Sequence, residues 1–172
     1  MPYLGLDLSS QSLSALVIDE KTKAIIAEHA VLFAQDFPQY KTENGFVRGE
    51  NQQVHSYPAM FLDAVDLLFS KMGSPLLQQI QAVSLSGQQH ASVYLNDSFE
   101  AKLTSLLPTA SLSEQLTSTF SRSITPIWMD HSTTVECQEM ASVVGDAVIK
   151  ISGSPYCERF TAAQIRKFAK QE

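Results

Sequence analysis

Three features of the chain predict an α/β domain. Residues 3 to 33 hold three apolar runs, Tyr3 to Leu8, Leu13 to Asp19 and Ala24 to Phe33, split by the polar breaks Ser9 to Ser12 and Glu20 to Lys23. Tyr57, Phe61, Ala64, Val65, Leu68 and Met72 then recur at helical spacing. The compact apolar run Ile80 to Ser86 follows that helix, which is the position of a strand pairing in parallel with an earlier one. At 172 residues the chain suits one well-packed core and is short for two.

Taken in order, the first three runs read as an antiparallel meander joined by tight turns. From Ala34 to Gln53 the composition turns polar, with Pro38, Gly45 and Gly49, and predicts a loop. The helix that crosses back over the sheet stops before Gly73 and Pro75, and Pro58 either opens or kinks it. After the strand Ile80 to Ser86 and Gly87, Ser92 to Leu95 predicts another short strand. Residues 99 to 123 are rich in Ser, Thr and Leu, with a short helix expected from Ser111, and Ile124 to Met129 reads as a further strand. Thr133 with Glu136 is a capping-box pattern for a helix ending by Gly145. Thr161 with Gln164 repeats the box, and Phe160 with Ile165 has the spacing of a hydrophobic staple. The last residues, Ala169 to Glu172, carry no Gly or Pro stop, so the final helix reads as the middle of something longer.

Composition removes several classes of function. Hydrophobic residues make up 44% and charged residues 17%, as in ordinary globular proteins. A net charge of -6 without a Lys/Arg cluster argues against nucleic acid or an anionic membrane as partner. No apolar run approaches the roughly 20 residues of a membrane span, and the start Met1-Pro2-Tyr3 has no targeting pattern, so a cytosolic location is expected. Cys137 and Cys157 have no metal-binding spacing and read as buried or idle thiols. Neither a P-loop nor a Gly-x-Gly-x-x-Gly fingerprint occurs, and no Ser-His-Asp or Cys-His arrangement can be read.

Four segments could carry chemistry. Asp7 ends an apolar strand and is followed by Ser9, Ser10, Gln11 and Ser12. Such a carboxylate could hold Mg2+, usually through water, while the turn approaches a phosphate; it could equally start a Ser-rich hairpin. In Ser86-Gly87-Gln88-Gln89-His90, Gln89 and His90 follow a buried strand, where α/β sheets present ligand groups, or they are ordinary loop residues. Asp130, after Trp128 and Met129, is a ligand group or a helix cap. Arg159 could bind hydroxyls or pair with Glu158. His29, His55 and His131 have weaker claims.

Together these pieces resemble the N-terminal domain of the FGGY family of carbohydrate kinases, most closely its xylulokinases. Leu4 to Ser12 is similar to the family's first phosphate loop and Ser84 to His90 to its sugar-binding turn. Pro126 to Asp130 resembles its Trp-x-Asp segment, and Gly153 to Phe168 the stretch leading into the next helix. The resemblance spans nearly the whole chain. It implies an actin-like ATPase fold with a ribonuclease-H-like core, the meander and crossover helix being followed by parallel strands with helices. It also implies ATP and Mg2+ as cofactors and D-xylulose or a similar ketose as substrate. Asp7 would work with Mg2+ and the phosphates, with Ser9, Ser10 and Gln11 in the same loop. Gln89, His90 and Arg159 would contact the ketose, and Asp130 would sit near it. Two departures are Ser9-Ser10 where many members have Gly-Thr and Ala91 where Gly is common. The family's general base, an aspartate in Gly-Asp-Asn, has no counterpart here, since Gly145-Asp146-Ala147 is expected at a helix end. The chain is therefore expected to be an incomplete, inactive piece of an ATP-dependent ketose kinase, with an exposed face open to homodimerisation. A non-catalytic actin-like module that binds sugar or a partner is the competing reading.

Overall fold

The structure is a computed structural model that describes residues 1–171. Its main sheet has four strands, in the order Ile25–Leu32, Ser12–Asp19, Pro2–Leu8 and Ala82–Gly87 across its width. The meander β1 (Pro2–Leu8), β2 (Ser12–Asp19) and β3 (Ile25–Leu32) is antiparallel, and β6 (Ala82–Gly87) runs parallel to β1. Period-two alternation sends Leu4, Leu13, Ala15, Val17 and Val31 to one face, where they are buried. Gly5, Asp7 and Ser14 line the opposite, open face.

The crossover helix, α2 (Pro58–Met72), covers the apolar face with Met60, Phe61, Ala64, Leu68 and Met72. Full burial of a side chain such as Leu68 is worth about 1.5–3 kcal/mol, so a few of these residues suffice to dock the helix. Pro58 occupies the helix's first turn, where its missing N–H costs nothing, so it opens α2 rather than kinking it. Gly73 ends the helix, and the short α3 (Ser74–Leu77) leads back toward β6.

Elsewhere the expectations need correction. The predicted loop 34–53 contains the helical turn α1 (Phe33–Asp36), a 3-10 turn at Pro38–Tyr40 and the strand β4 (Val47–Arg48). The buried Phe33 and Phe37 draw this segment onto the core. Ser92 to Leu95 is no strand; Leu95 makes only an isolated bridge to Phe120. The expected strand Ile124 to Met129 shrinks to β7 (Thr125–Pro126), outside the main sheet. It pairs with β5 (Val54–Ser56) in a second sheet ordered β4-β5-β7, where proline is tolerated because β7 lies at the edge. Phe46, Val54 and Ile127 form a small core there. In residues 99 to 123 the helix α4 (Phe99–Leu103) was not foreseen, whereas α5 (Leu112–Leu116) has the expected start, a full capping box between Ser111 and Glu114.

The helices α6 (Thr134–Val144) and α8 (Thr161–Gln171) begin where predicted, but their boxes do not form. The Thr133 hydroxyl donates to the Glu158 carbonyl at 2.5 Å, and Glu136 pairs with Lys170 at 2.9 Å. Gln164 donates to Asp130, and Phe160 lies against His90 instead of stapling Ile165, which is half exposed. Gly145-Asp146-Ala147 falls at a helix end as expected: Gly145 caps α6, and a further short helix, α7 (Ala147–Ser152), follows at once. The final expected helical residue, 172, lies outside the described residues.

Candidate functional site

The turns after β1 and β6 leave neighbouring parallel strands at the same end, with Asp7 opposite Ser86 and Leu8 opposite Gly87. This is the carboxyl edge at which α/β sheets present ligand groups.

At the first turn, the Ser86 hydroxyl donates to Asp7 Oδ1 at 2.5 Å, and the Ser9 hydroxyl donates to Oδ2. These two bonds hold the Asp7 carboxyl below the ordinary aspartate range, although partial desolvation opposes them. Asp7 is exposed and opens onto a hollow of about 670 Å³ on the sheet face, with Ser14, Ser84 and Ser86. Among the described residues no cluster of three acidic, His or Cys side chains could enclose a metal. The donor set suits Mg2+, which keeps most of its water and takes one or two carboxylates plus phosphate oxygens. Gln11 is exposed, and its carbonyl accepts the Phe33 N–H at 3.0 Å.

The turn's backbone leans on Gly45. There φ is +94°, and a β-carbon would penetrate the Ser10 carbonyl oxygen and lie 2.8 Å from Phe33 Cδ2. The buried Ser56 hydroxyl holds the Gly45 carbonyl at 2.7 Å.

At the second turn His90 adopts φ +66°, a left-handed conformation uncommon outside glycine. Its ring lies 4.8 Å from that of Phe160, and the Arg159 guanidinium sits 6.0 Å from the same ring's centre. Phe160 thus brings His90 and Arg159 to one pocket of about 540 Å³, which Gln89, Tyr156 and Cys157 also line. Arg159 makes no ion pair among the described residues; Glu158 instead faces His131 at 3.8 Å. Thr133 and Gln164 both bond the Glu158 carbonyl and so fix the backbone beside Arg159. Cys137 is buried in the wall of this pocket, and desolvation pushes its thiol pKa up.

Asp130 has other surroundings. It is 3% exposed and accepts from the Val54 amide, the Ser132 amide and hydroxyl, and Gln164 Nε2. Burial alone would raise its pKa, but the donors from Ser132, Gln164 and Val54 outweigh burial and lower it. It lines a separate small cleft with His55, Arg122 and Lys167. Replacing Asp130 by asparagine is expected to cost about 3 kcal/mol, because an acceptor becomes a donor facing donors. A lowered pKa gives stability that is complete above the ordinary aspartate range and lost as pH falls through the folded value. Acid denaturation curves of the variant should accordingly lack that part of the acid limb.

Sequence reasoning passed over Phe160 as a ligand-pocket residue, and quoted Ser86, Gln88 and Trp128 within their motifs without giving them a role at the site. The signal for Ser86 was its position next to the Gln-His turn. Trp128 lies 118 residues from its partner Ser10, so no local pattern could have paired them.

No model of a known protein family matches the sequence. The chain is 43% identical over 171 residues to xylulose kinase 2 of Arabidopsis thaliana, a match covering 96% of this chain and 30% of that protein. It is 38% identical over 169 residues to the xylulose kinase of Mus musculus, covering 95% of this chain and 30% of that one. The xylulose kinase structure from Rhodospirillum rubrum superposes with a TM-score of 0.71 at 15% identity, over 100% of this chain and 30% of that one. Plasmodium falciparum glycerol kinase with ADP superposes with a TM-score of 0.66 at 13% identity, over 98% and 28%. The chain thus spans about a third of the length of these proteins, and its fold is that of their actin-like ATPase core.

Proposed function

We propose that the chain, which is similar along nearly its whole length to xylulose kinases, forms the N-terminal part of an ATP-dependent FGGY-type kinase for D-xylulose or a related ketose. The observation that carries the reading is the register of β1 with β6, which sets the Asp7 turn beside the Gln89-His90 turn.

In the proposed reaction a ketose hydroxyl oxygen forms a bond to the γ-phosphorus of ATP. The bond to the bridging oxygen breaks, ADP leaves, and the hydroxyl proton passes to a base. Asp7, kept ionised by Ser86 and Ser9, would hold Mg2+ through water. The ion supplies charge neutralisation for the phosphates, the main requirement of this transfer. Ser9, Ser10 and Gln11 offer hydroxyl, amide and backbone donors to phosphate oxygens. Gln89, His90 and Arg159 orient the ketose hydroxyls from the Phe160 pocket. Asp130, with its oxygens already engaged, serves by positioning the Trp128 segment. The base and the adenine site are assigned to a second actin-like domain outside these 172 residues, so the chain alone binds without turnover.

The test is ADP formation by the protein encoded by the full reading frame around this chain, with D-xylulose compared against other ketoses. Ketose-dependent turnover supports the kinase; ketose or nucleotide binding without turnover would establish the module reading instead.

A cytosolic setting fits the lack, among the described residues, of any helix long and apolar enough to cross a membrane. Homodimerisation of the isolated chain has a face in the edge strand β6, where Val83 and Leu85 are 58% and 68% exposed. Sedimentation of the chain is expected to show a dimer that Leu85→Lys abolishes; monomer at all concentrations would refute it.

A further inference from the structure

Trp128 and Gln88 converge on the phosphate-facing turn from two distant parts of the chain. Trp128 is the sequence's one tryptophan and is 44% exposed, between Ile127 at 1% and Asp130 at 3%. Its indole N–H donates to Ser10 Oγ at 2.8 Å. Gln88 closes on the same turn with both ends of its amide. Nε2 donates to the Ser9 carbonyl at 3.1 Å, and Oε1 accepts the Ser10 hydroxyl at 3.4 Å.

The polarity of this chain is fixed at one end. An indole can only donate, so Ser10 Oγ must accept there, and its own proton must point elsewhere. The proton is directed to Gln88 over a long, weak bond that a closer anionic oxygen would outcompete. Ser10 is thereby a pre-oriented donor. The two residues that orient it belong to the turn leading into Gln89-His90 and to the segment pinned by Asp130.

The geometry points to Trp128 and Gln88 as positioning residues that aim the Ser10 hydroxyl at a phosphate oxygen and tie the phosphate turn to the sugar pocket. A hydrophobic wall for the sugar would need only the indole ring; this role needs its N–H. The catalytic half of the inference rests on the kinase reading above.

The test uses Trp128→Phe, Gln88→Met, Ser10→Ala and Ser10→Thr in the full-length protein, with the indole resonance followed by NMR in the 172-residue chain. Trp128→Phe is expected to lower kcat about tenfold while leaving KM for the ketose within twofold. Gln88→Met should act in the same direction. Combined with Ser10→Ala, Trp128→Phe should add nothing further, because one interaction has been removed twice. The single indole N–H resonance should shift and exchange faster in Ser10→Ala and be restored in Ser10→Thr.

An unchanged kcat in Trp128→Phe, a rise in KM alone, or an indole resonance indifferent to Ser10→Ala would each overturn the assignment. Absence of ketose-dependent ATP consumption by the unmodified protein is a distinct result. It removes the kinase reading and with it the catalytic role, even where the indole resonance responds to Ser10.

Discussion

Alanine at position 45 is expected to destabilise the protein by about 3 kcal/mol or more, from two costs that add. The residue holds φ at +94°, where an L side chain is strained. Its β-carbon would also press into the Ser10 carbonyl oxygen, a backbone atom that cannot rotate away, with Phe33 Cδ2 at 2.8 Å and Gln11 Cα at 3.3 Å on its other sides. Gly153 provides the control: its φ is +72°, but nothing lies within 4 Å of a β-carbon there. Gly153→Ala should therefore cost only about 1 kcal/mol, the strain without the clash. At roughly 2–4 °C per kcal/mol for a chain of this size, thermal unfolding separates the two variants clearly. Equal losses would mean that the approach of Gly45 to the Ser9-Ser10 turn is not a constraint. Relief of the clash requires that turn to move, so Gly45→Ala should also disturb the Trp128 indole environment, whereas Gly153→Ala should not.

What could be read from the sequence divides along physical lines. The meander, α2 and β6 are set by local periodicity and by how apolar faces meet, and their expected bounds differ from the structure by only a few residues. Ser92 to Leu95 and Ile124 to Met129 are short apolar runs, and in such runs periodicity cannot decide what the chain pairs with. The second went to β5 because the Phe46, Val54 and Ile127 cluster formed away from the main sheet. The capping patterns at Thr133 and Thr161 marked real helix starts for a reason other than the one inferred. Thr133 and Gln164 turned to a tertiary partner, the Glu158 carbonyl, and in doing so braced Arg159. Asp7, His90 and Arg159 were legible as chemical types at suggestive places. That Phe160 would join the last two, and that an indole would reach Ser10, depends on contacts spanning 70 to 118 residues, which no local pattern records.

Asp7→Asn is expected to reduce ketose-dependent kcat in the full-length protein by at least ~10²-fold with little change in stability, and the two halves of that expectation have separate causes. Asparagine keeps the shape and one acceptor oxygen, which the Ser86 hydroxyl can still use. The hydroxyl of Ser9 can rotate to accept from the new amide, so no polar group is stranded, and the site is exposed to water. Folding should change by less than about 1 kcal/mol. Charge is what disappears. A phosphoryl transfer draws most of its acceleration from charge placed near the phosphates, and loss of one such group commonly costs 10²–10³ in rate. KM for the ketose should stay near its original value, since Gln89, His90 and Arg159 line a different pocket. The pH dependence gives a second handle. Because Ser86 and Ser9 lower the Asp7 pKa, its carboxylate persists from neutral pH down past the ordinary aspartate range and is lost only as pH falls through the folded value. Ser86→Ala should raise that value, moving the acid limb of kcat upward while leaving activity at neutral pH within a few-fold. An acid limb unmoved by Ser86→Ala, or Asp7→Asn turnover within tenfold of the unmodified protein, would remove Asp7 from the metal and phosphate site.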